Sequence, residues 1–504
     1  MGNQLIWFVI LYLAVTIGIG LYAATRVHNT RDYAVAGRSL PMYVVIATVF
    51  ATWFGSETVL GLSSRFVTSG LRDIVEDPFG SSMCLILVGV FFAAKLYRMN
   101  LLTIGDYYRK RYNRTVEVLA SLAILFSYLG WVSAQLVALG LVFKLVSGGA
   151  VSLQTGIMIG AAIVTLYTLY GGMFSVAWTD TFQMTIIIFG LLYIAWQAAG
   201  LAGGVGSVVE HASQANKFEF WPPLELKEVL AFVGAGVTLM FGSIPQQDVF
   251  QRVTAAKTER IAVWGTILGG SFYFLFAAVP IFLAYSAIII DPTVTQELLK
   301  NKDSAQQILP SLVMNHMPLM AQILFFGALL SAIMSTASGT LLAPSLTFTE
   351  NILKPFLNPG MSDKALLRTM RIVVFCFGVA VTIFALNSKS SIYEMVGNAY
   401  KVTLVAAFIP LVMGLYWKRA TTQGALFSIT CGMTVWLLLE AFHADGLWPP
   451  QLAGLLASFL GMLIGSLLPQ VIAKALPTEP KHTTLHHHAA TQTHHVSEPP
   501  HHPH

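Results

Sequence analysis

Three ionisable side chains lie inside apolar stretches of the sequence: Glu57, Asp180 and Lys401. A charge in such a stretch is costly unless it is paired, hydrated or used, so each of the three is a candidate for function. Glu57 and Lys401 could form a structural ion pair, or they could line a polar cavity that binds a solute. Asp180 could lie on an ion path, or it could be hydrated through the adjacent Tyr170–Gly172 turn.

Two neighbouring hydroxyl groups lie in the small-residue segment 332–339, on Ser335 and Thr336. Small hard cations such as sodium prefer several oxygen ligands, and two adjacent hydroxyls supply part of such a set. Small residues in apolar helices also allow close helix packing. Both interpretations of this segment remain open on its residues alone.

The composition places all of these residues in a membrane. Hydrophobic residues make up 55 % of the 504 residues, charged residues 11 %, and the mean hydropathy is +0.68. Soluble domains carry about 25 % charged residues. We therefore predict an all-α polytopic membrane protein, and not a soluble enzyme or a nucleic-acid binder, although the net charge is +5.

About thirteen apolar runs are long enough to cross a bilayer as helices. We predict spans at 4–24, 42–64, 80–94, 118–143, 151–170, 174–199, 229–247, 261–289, 318–348, 372–388, 391–416, 420–439 and 447–473. Of the 29 Lys and Arg residues, twenty fall in one set of alternating connections and eight in the other, with Lys401 in neither. The positive-inside rule then predicts an outside N-terminus and a cytoplasmic C-terminus in a plasma or bacterial inner membrane.

Two of these spans contain helix-breaking residues at corresponding places. Gly55 interrupts the segment 51–57, and Pro245 interrupts the segment 242–248. The two interrupted spans are five apart and open blocks at 42–199 and 229–416. Because five is odd, the second block enters from the opposite side, which is the inverted repeat of many secondary transporters. Glycine and proline could instead merely kink these helices.

The remaining segments have simpler assignments. We predict an extra helix and a cytoplasmic loop at 1–41, an extracellular connection at 200–228, and two extra helices at 417–476. The segment 477–504 is polar and holds nine of the thirteen histidines. It is typical of a disordered, His-rich cytoplasmic tail.

Several motifs resemble signatures of the sodium:solute symporter family. They are the segment 165–180, which ends in Trp178-Thr179-Asp180, the segment 243–252 with Ala255 after it, Met334-Ser335-Thr336, and the closing segment 414–419. The resemblance runs from about residue 5 to residue 440. It implies the five-plus-five inverted-repeat fold of the leucine-transporter type and uptake of a solute coupled to sodium.

The resemblance also implies roles for individual residues. A sodium ion would be bound by the carbonyl groups of Ala51, Phe54 and Ala332 and by the hydroxyls of Ser335 and Thr336. The aspartate of the Trp-Thr-Asp motif, Asp180, would lie on the sodium path toward the cytoplasm.

Within the family, the sequence is most similar to choline-type and proline-type members. Trp53 and Trp131 resemble tryptophans that help to enclose choline, although packing is an equal alternative, and Gln246 replaces a third such tryptophan. The candidate solute residues are Trp53, Gly55, Ser56, Glu57, Asp77, Trp131, Gln246 and Lys401. Tryptophans and acids suit an organic cation, and Lys401 could hold a carboxylate, so we expect an amino acid, a betaine or an organic cation.

The other function classes lack support in the spans. They contain no paired carboxylates, nucleophile elbow or metal-ligand cluster, so we predict that the protein is not an enzyme. The expected partners are the small solute, the lipid bilayer and sodium as the single ion. Two alternatives remain: a proton-coupled transporter of the same fold, and a transporter-like sensor of a small solute.

Overall fold

The computed structural model describes residues 2–472, and the predicted tail at 477–504 lies outside them. This part of the chain is helical and forms no β-strand, apart from a single bridge between Leu40 and Ala256. Nine of its helices are long and apolar enough to cross a membrane. Three further pairs of helices pass the same test together, which raises the number of spans to as many as twelve.

The bounds of these helices follow the predicted order along the chain. The nine long helices are Gln4–Ala24, Leu71–Arg98, Arg114–Val146, Leu153–Ala202, Glu259–Ile290, Leu319–Leu357, Asp363–Asn387, Thr422–Phe442 and Pro450–Leu467. The three bent pairs are Met42–Trp53 with Glu57–Ser69, Leu226–Gly242 with Gln247–Ala255, and Ile392–Ala406 with Phe408–Tyr416. The bend is 54° in the first pair and 45° in the other two.

The helix Leu153–Ala202 contains two of the predicted spans. An unbroken helix would separate Tyr167 from Gly190 by about 35 Å. Yet the Tyr167 hydroxyl donates to the carbonyl of Met334 at 3.0 Å, and a Cβ added at Gly190 would lie 3.0 Å from that of Ala328. Those two partners are about 9 Å apart on their own helix. The chain therefore turns between these positions, and dividing the helix raises the number from twelve to the thirteen expected.

The turn lies at Gly172, whose backbone is not helical (φ 51°, ψ −134°). A side chain is disfavoured at this positive φ. A Cβ there would also lie 2.5 Å from the carbonyl oxygen of Tyr33. Glycine is thus required at this position both by the backbone and by the neighbouring chain.

The two interrupted helices run in opposite directions beside each other. The Leu40 amide, just before the first, donates to the carbonyl of Ala255, at the end of the second, at 3.0 Å. The Trp53 indole, at the first break, donates to the carboxylate of Asp248, just after the second break, at 3.0 Å. The start of one helix therefore lies beside the end of the other, as an inverted repeat requires.

The seventh span corrects the sequence-based boundary. It is predicted to end at residue 247, which leaves Arg252 in a cytoplasmic connection. The helix instead resumes after the break as Gln247–Ala255, and Arg252 is 2 % exposed inside the protein. The half-helix Gln247–Ala255 is too polar to be recognised as part of a span from apolar residues in the sequence. Without Arg252 the basic residues divide nineteen to eight, so the charge bias persists.

Candidate ion and solute site

The break in the second span frees a backbone carbonyl for a partner in another helix. Phe54 leaves the helical conformation (φ −86°, ψ 78°), so the helix ends at Trp53. The carbonyl of Ala51 accepts a hydrogen bond from the Ser335 hydroxyl at 2.6 Å. The Thr336 hydroxyl lies 3.5 Å from the same oxygen.

The residues predicted to hold sodium meet at this break. The Ser335 hydroxyl also lies 3.0 Å from the carbonyl of Ala332, so four of the five expected oxygen ligands lie together. Ala51, Ala332, Ser335 and Thr336 are fully buried, and Phe54 lies at the break itself. Clustered neutral oxygens of this kind suit a small hard cation.

Asp180 contacts two threonines of the same half-helix. Its Oδ2 atom accepts hydrogen bonds from the hydroxyls of Thr48 at 2.6 Å and Thr52 at 3.1 Å. Thr52 in turn accepts a hydrogen bond from the Arg252 guanidinium at 2.8 Å. The Oδ1 atom has no hydrogen-bond partner within residues 2–472, and the side chain is fully buried, which does not favour hydration at a helix end.

Glu57 begins the second half of the interrupted span and is anchored to the fourth span. Its carboxylate accepts hydrogen bonds from the Trp131 indole at 3.1 Å and the Gln135 amide at 2.7 Å. The Gln135 carbonyl oxygen accepts the amide of Ser56 at 2.9 Å, which fixes the broken backbone as well. The Ser56 hydroxyl is buried and has no partner in the described part of the chain.

Aromatic rings surround Trp131 on three sides. The Trp53 ring meets it edge-on at 6.0 Å, the Tyr128 ring stacks on it at 6.0 Å, and the Tyr400 ring lies 5.4 Å away. Asp248 fixes two of these rings: it accepts the Trp53 indole at 3.0 Å and the Tyr128 hydroxyl. The result is an aromatic cluster with carboxylates on two sides.

A family model described as the sodium:solute symporter family matches residues 33–432. The chain belongs to this family. It is therefore a multi-pass membrane symporter that couples sodium to the import of a small organic solute, and it is not an enzyme.

Relatives of this symporter cover nearly the whole chain. A high affinity choline transporter of Homo sapiens is 29 % identical over 85 % of this chain and 75 % of its own length. A sodium/proline symporter of Escherichia coli is 26 % identical over 95 % of this chain and 96 % of its own. The structure of a Na⁺-coupled sialic acid symporter matches with a TM-score of 0.79 and 18 % identity, over 92 % and 97 % of the two chains. The fold is the five-plus-five inverted repeat of the leucine-transporter type.

Two other predicted solute residues of the symporter, Gln246 and Asp77, make hydrogen bonds to neighbouring spans. Gln246 joins the fourth and eleventh spans, because its amide donates to the hydroxyls of Ser127 at 3.0 Å and Thr403 at 3.2 Å. Asp77 accepts the hydroxyl of Tyr273 at 2.6 Å, and that hydroxyl lies 3.0 Å from the Thr58 hydroxyl, next to Glu57 in sequence.

Lys401 lies apart from Glu57. It lines a cavity of about 370 Å³ together with Lys227, Glu440 and Asp445. The ion pairs of the symporter within residues 2–472 include neither Glu57 nor Lys401, so the structural pair left open by the sequence does not form.

The sequence did not point to Tyr128, Asp248, Arg252 or Tyr400, which the symporter uses to build the site. Tyr128 and Tyr400 lie in apolar runs, where a tyrosine carries no distinctive signal. Asp248 and Arg252 did have a distinctive signal in the sequence, because they follow Pro245 at the point where the helix breaks. A polar half-helix after such a break is a feature of transporter sites.

Proposed function

We propose that the solute carries an ammonium group and binds between the two helix breaks, next to Glu57 and the aromatic cluster. The observation that supports this most is the pairing of the Glu57 carboxylate with the Trp131 ring at the first break. A carboxylate attracts a cation by charge, and the face of an aromatic ring attracts it through its quadrupole. Sugars and carboxylates have no cationic group that could interact with both the carboxylate and the aromatic ring.

The polar groups left over at the two breaks suit the rest of such a solute. The hydroxyls of Ser56 and Ser243, one at each break, are buried without partners within residues 2–472. They would bind a hydroxyl of an organic cation or the carboxylate of a betaine or an amino acid. Lys401 is directed toward another cavity and is the weakest of the predicted solute residues.

Sodium would bind at the adjacent oxygen cluster. The carbonyls of Ala51, Phe54 and Ala332 and the hydroxyls of Ser335 and Thr336 would be its ligands. After the protein opens inward, sodium would leave past Asp180. Each charge that moves down a potential of about 100 mV releases about 2.3 kcal/mol, which drives accumulation of the solute.

The orientation and the division of the chain form part of the same proposal. The charge bias puts the N-terminus outside and the C-terminus in the cytoplasm of a plasma or bacterial inner membrane. The two repeats would span 42–199 and 229–416, with extra helices at 1–41 and 417–476 and the connection 200–228 outside. The opposite directions of the two interrupted helices, with Leu40 beside Ala255 and Trp53 beside Asp248, support this division.

A thermal-shift screen of the purified protein tests the solute class. Choline, glycine betaine, proline, glucose and succinate would each be added in sodium chloride and in potassium chloride. We expect one or more of the first three to raise the melting temperature, and to do so more in sodium, because a ligand of the folded state stabilises it by mass action. A rise with glucose or succinate alone would refute the ammonium assignment.

A further inference from the structure

A wide basic cavity lies at the start of the helix Asp363–Asn387. Its volume is about 850 Å³. Lys364, Arg368 and Arg371 line it, and Asp363 is the acidic group among its lining residues. The cavity therefore carries two more positive than negative charges, and it opens on the side that the charge bias assigns to the cytoplasm.

Two of the three cationic side chains of this cavity are unused within the described residues, whereas the third, Arg371, lies 5.7 Å and 5.9 Å from the centres of the Tyr33 and Tyr170 rings. Lys364 and Arg368 are exposed, and neither makes an ion pair or a side-chain hydrogen bond within residues 2–472. Arg371 donates one hydrogen bond, to the carbonyl of Tyr170 at 3.1 Å, and its buried Nε atom has no partner there. The acid is already occupied, since both Asp363 oxygens accept hydrogen bonds from Thr30.

The same helix face continues from cationic into apolar side chains. Lys364, Arg368, Ile372, Phe375 and Val379 follow at intervals of four, four, three and four residues, which places them in one stripe along the helix. The last three are 55 %, 56 % and 47 % exposed. This stripe has cationic side chains at the membrane surface and exposed apolar side chains within the membrane. An anionic lipid matches it, because the lipid has a negatively charged headgroup and apolar acyl chains.

We propose that the cavity binds the headgroup phosphate of an anionic phospholipid, whose acyl chains lie along Ile372, Phe375 and Val379. Basic pockets at the cytoplasmic surface of spans recognise such headgroups. Because Arg371 is fixed to the carbonyl of Tyr170, the lipid would join this helix to the turn at Gly171–Gly172 between the fifth and sixth spans.

Native mass spectrometry of the delipidated full-length protein tests this proposal. We expect phosphatidylglycerol to bind more tightly than phosphatidylcholine, which has the same phosphate and chains without the net charge. The double variant Lys364→Gln/Arg368→Gln should bind phosphatidylglycerol about 30-fold more weakly. That factor corresponds to about 2 kcal/mol for two basic residues at a membrane surface.

The matched control is Lys418→Gln/Arg419→Gln, which removes the same two charges from another exposed cytoplasmic connection and should bind phosphatidylglycerol like the unaltered protein. The melting temperatures of both double variants without lipid should agree, since all four side chains are exposed. Equal binding by the two double variants, or equal binding of the two lipids, would overturn the proposal. Equally tight binding of soluble glycerol phosphate would also overturn it, in favour of a free-anion site.

Discussion

Replacing both hydroxyls of the proposed sodium site should remove sodium-driven uptake. Ser335 and Thr336 direct their hydroxyl oxygens at the Ala51 carbonyl, at 2.6 Å and 3.5 Å, beside the break that frees it. A ligand of this kind contributes about 1.5–3 kcal/mol, by analogy with a hydrogen bond to a charged group. The variant Ser335→Ala/Thr336→Ala should therefore lose about 3–6 kcal/mol of sodium binding, or roughly 10²- to 10⁴-fold in affinity.

The assay is solute uptake into proteoliposomes as a function of external sodium, with potassium replacing sodium and the voltage clamped. The half-saturating sodium concentration should move beyond the accessible range. Ser345→Ala is the matched control, because Ser345 lies on the same helix, is equally buried, and donates to the carbonyl of Leu341 within that helix at 2.8 Å. Thr336→Ser keeps the oxygen and should keep most of the sodium affinity.

Loss of folding is the rival explanation for a dead double variant. Removing both hydroxyls leaves the buried Ala51 carbonyl without the two side-chain donors, which costs about 1–3 kcal/mol. Melting temperatures measured with and without sodium separate the two explanations. We expect the variant to unfold cooperatively and to lose the sodium-dependent rise. An unaltered sodium dependence of uptake in the double variant would refute the site.

Three further predictions concern the solute segment and the exterior. Glu57→Gln removes the charge with little change in shape, so the KM for the solute at saturating sodium should rise roughly 10- to 100-fold. The amide can accept only one of the two hydrogen bonds that the carboxylate accepts from Trp131 and Gln135, so the melting temperature should fall somewhat while unfolding stays cooperative. An unchanged KM would exclude Glu57 from the solute site. Gly55→Ala should abolish uptake, because the added methyl carbon would lie 2.5 Å from a Glu57 oxygen, whereas Gly18→Ala, whose methyl group meets nothing within 4 Å, should transport normally. Hydrogen bonding to His316 lowers the pKa of Asp291, so this pair stabilises the fold at neutral pH and ceases to do so as the pH falls through that pKa. Asp291→Asn should therefore lower the melting temperature at pH 7 more than at pH 3. Equal losses at the two pH values would contradict this.

The proximity of the oxygen-bearing residues at the first break was predicted more fully than the aromatic cluster, because the family resemblance supplied the residues and local features agreed with it. Small hydroxyl residues in an apolar helix and a glycine in the middle of a span are local features, and both are visible without the fold. The aromatic cluster depends on Tyr128, Tyr400 and Asp248, which come from three different spans. Their proximity follows from the packing of the two repeats, which no local pattern encodes.

Lys401 is a second example of a contact that the sequence alone does not determine. Its position in an apolar run left two alternatives open, an ion pair with Glu57 or a polar cavity that binds a solute. Depth along a helix says nothing about the direction in which a side chain points. In the folded protein Tyr400, its neighbour, faces Trp131 instead, and Lys401 faces a cavity shared with Lys227.

The geometry around Gly55 gives a physical account of how sodium and solute binding are linked. A methyl group added there would lie 2.5 Å from the Glu57 carboxylate and 2.5 Å from the Thr336 hydroxyl, so the two proposed sites are separated by one residue of broken backbone. Fixing the backbone of a residue costs about 1–2 kcal/mol. We expect that whichever ligand binds first orders this residue further for the other, which would supply a coupling of about 1–2 kcal/mol, within the usual range of about 1–3 kcal/mol. Since such coupling is reciprocal, a substitution that removes it must weaken solute binding in sodium and sodium binding in solute by the same factor.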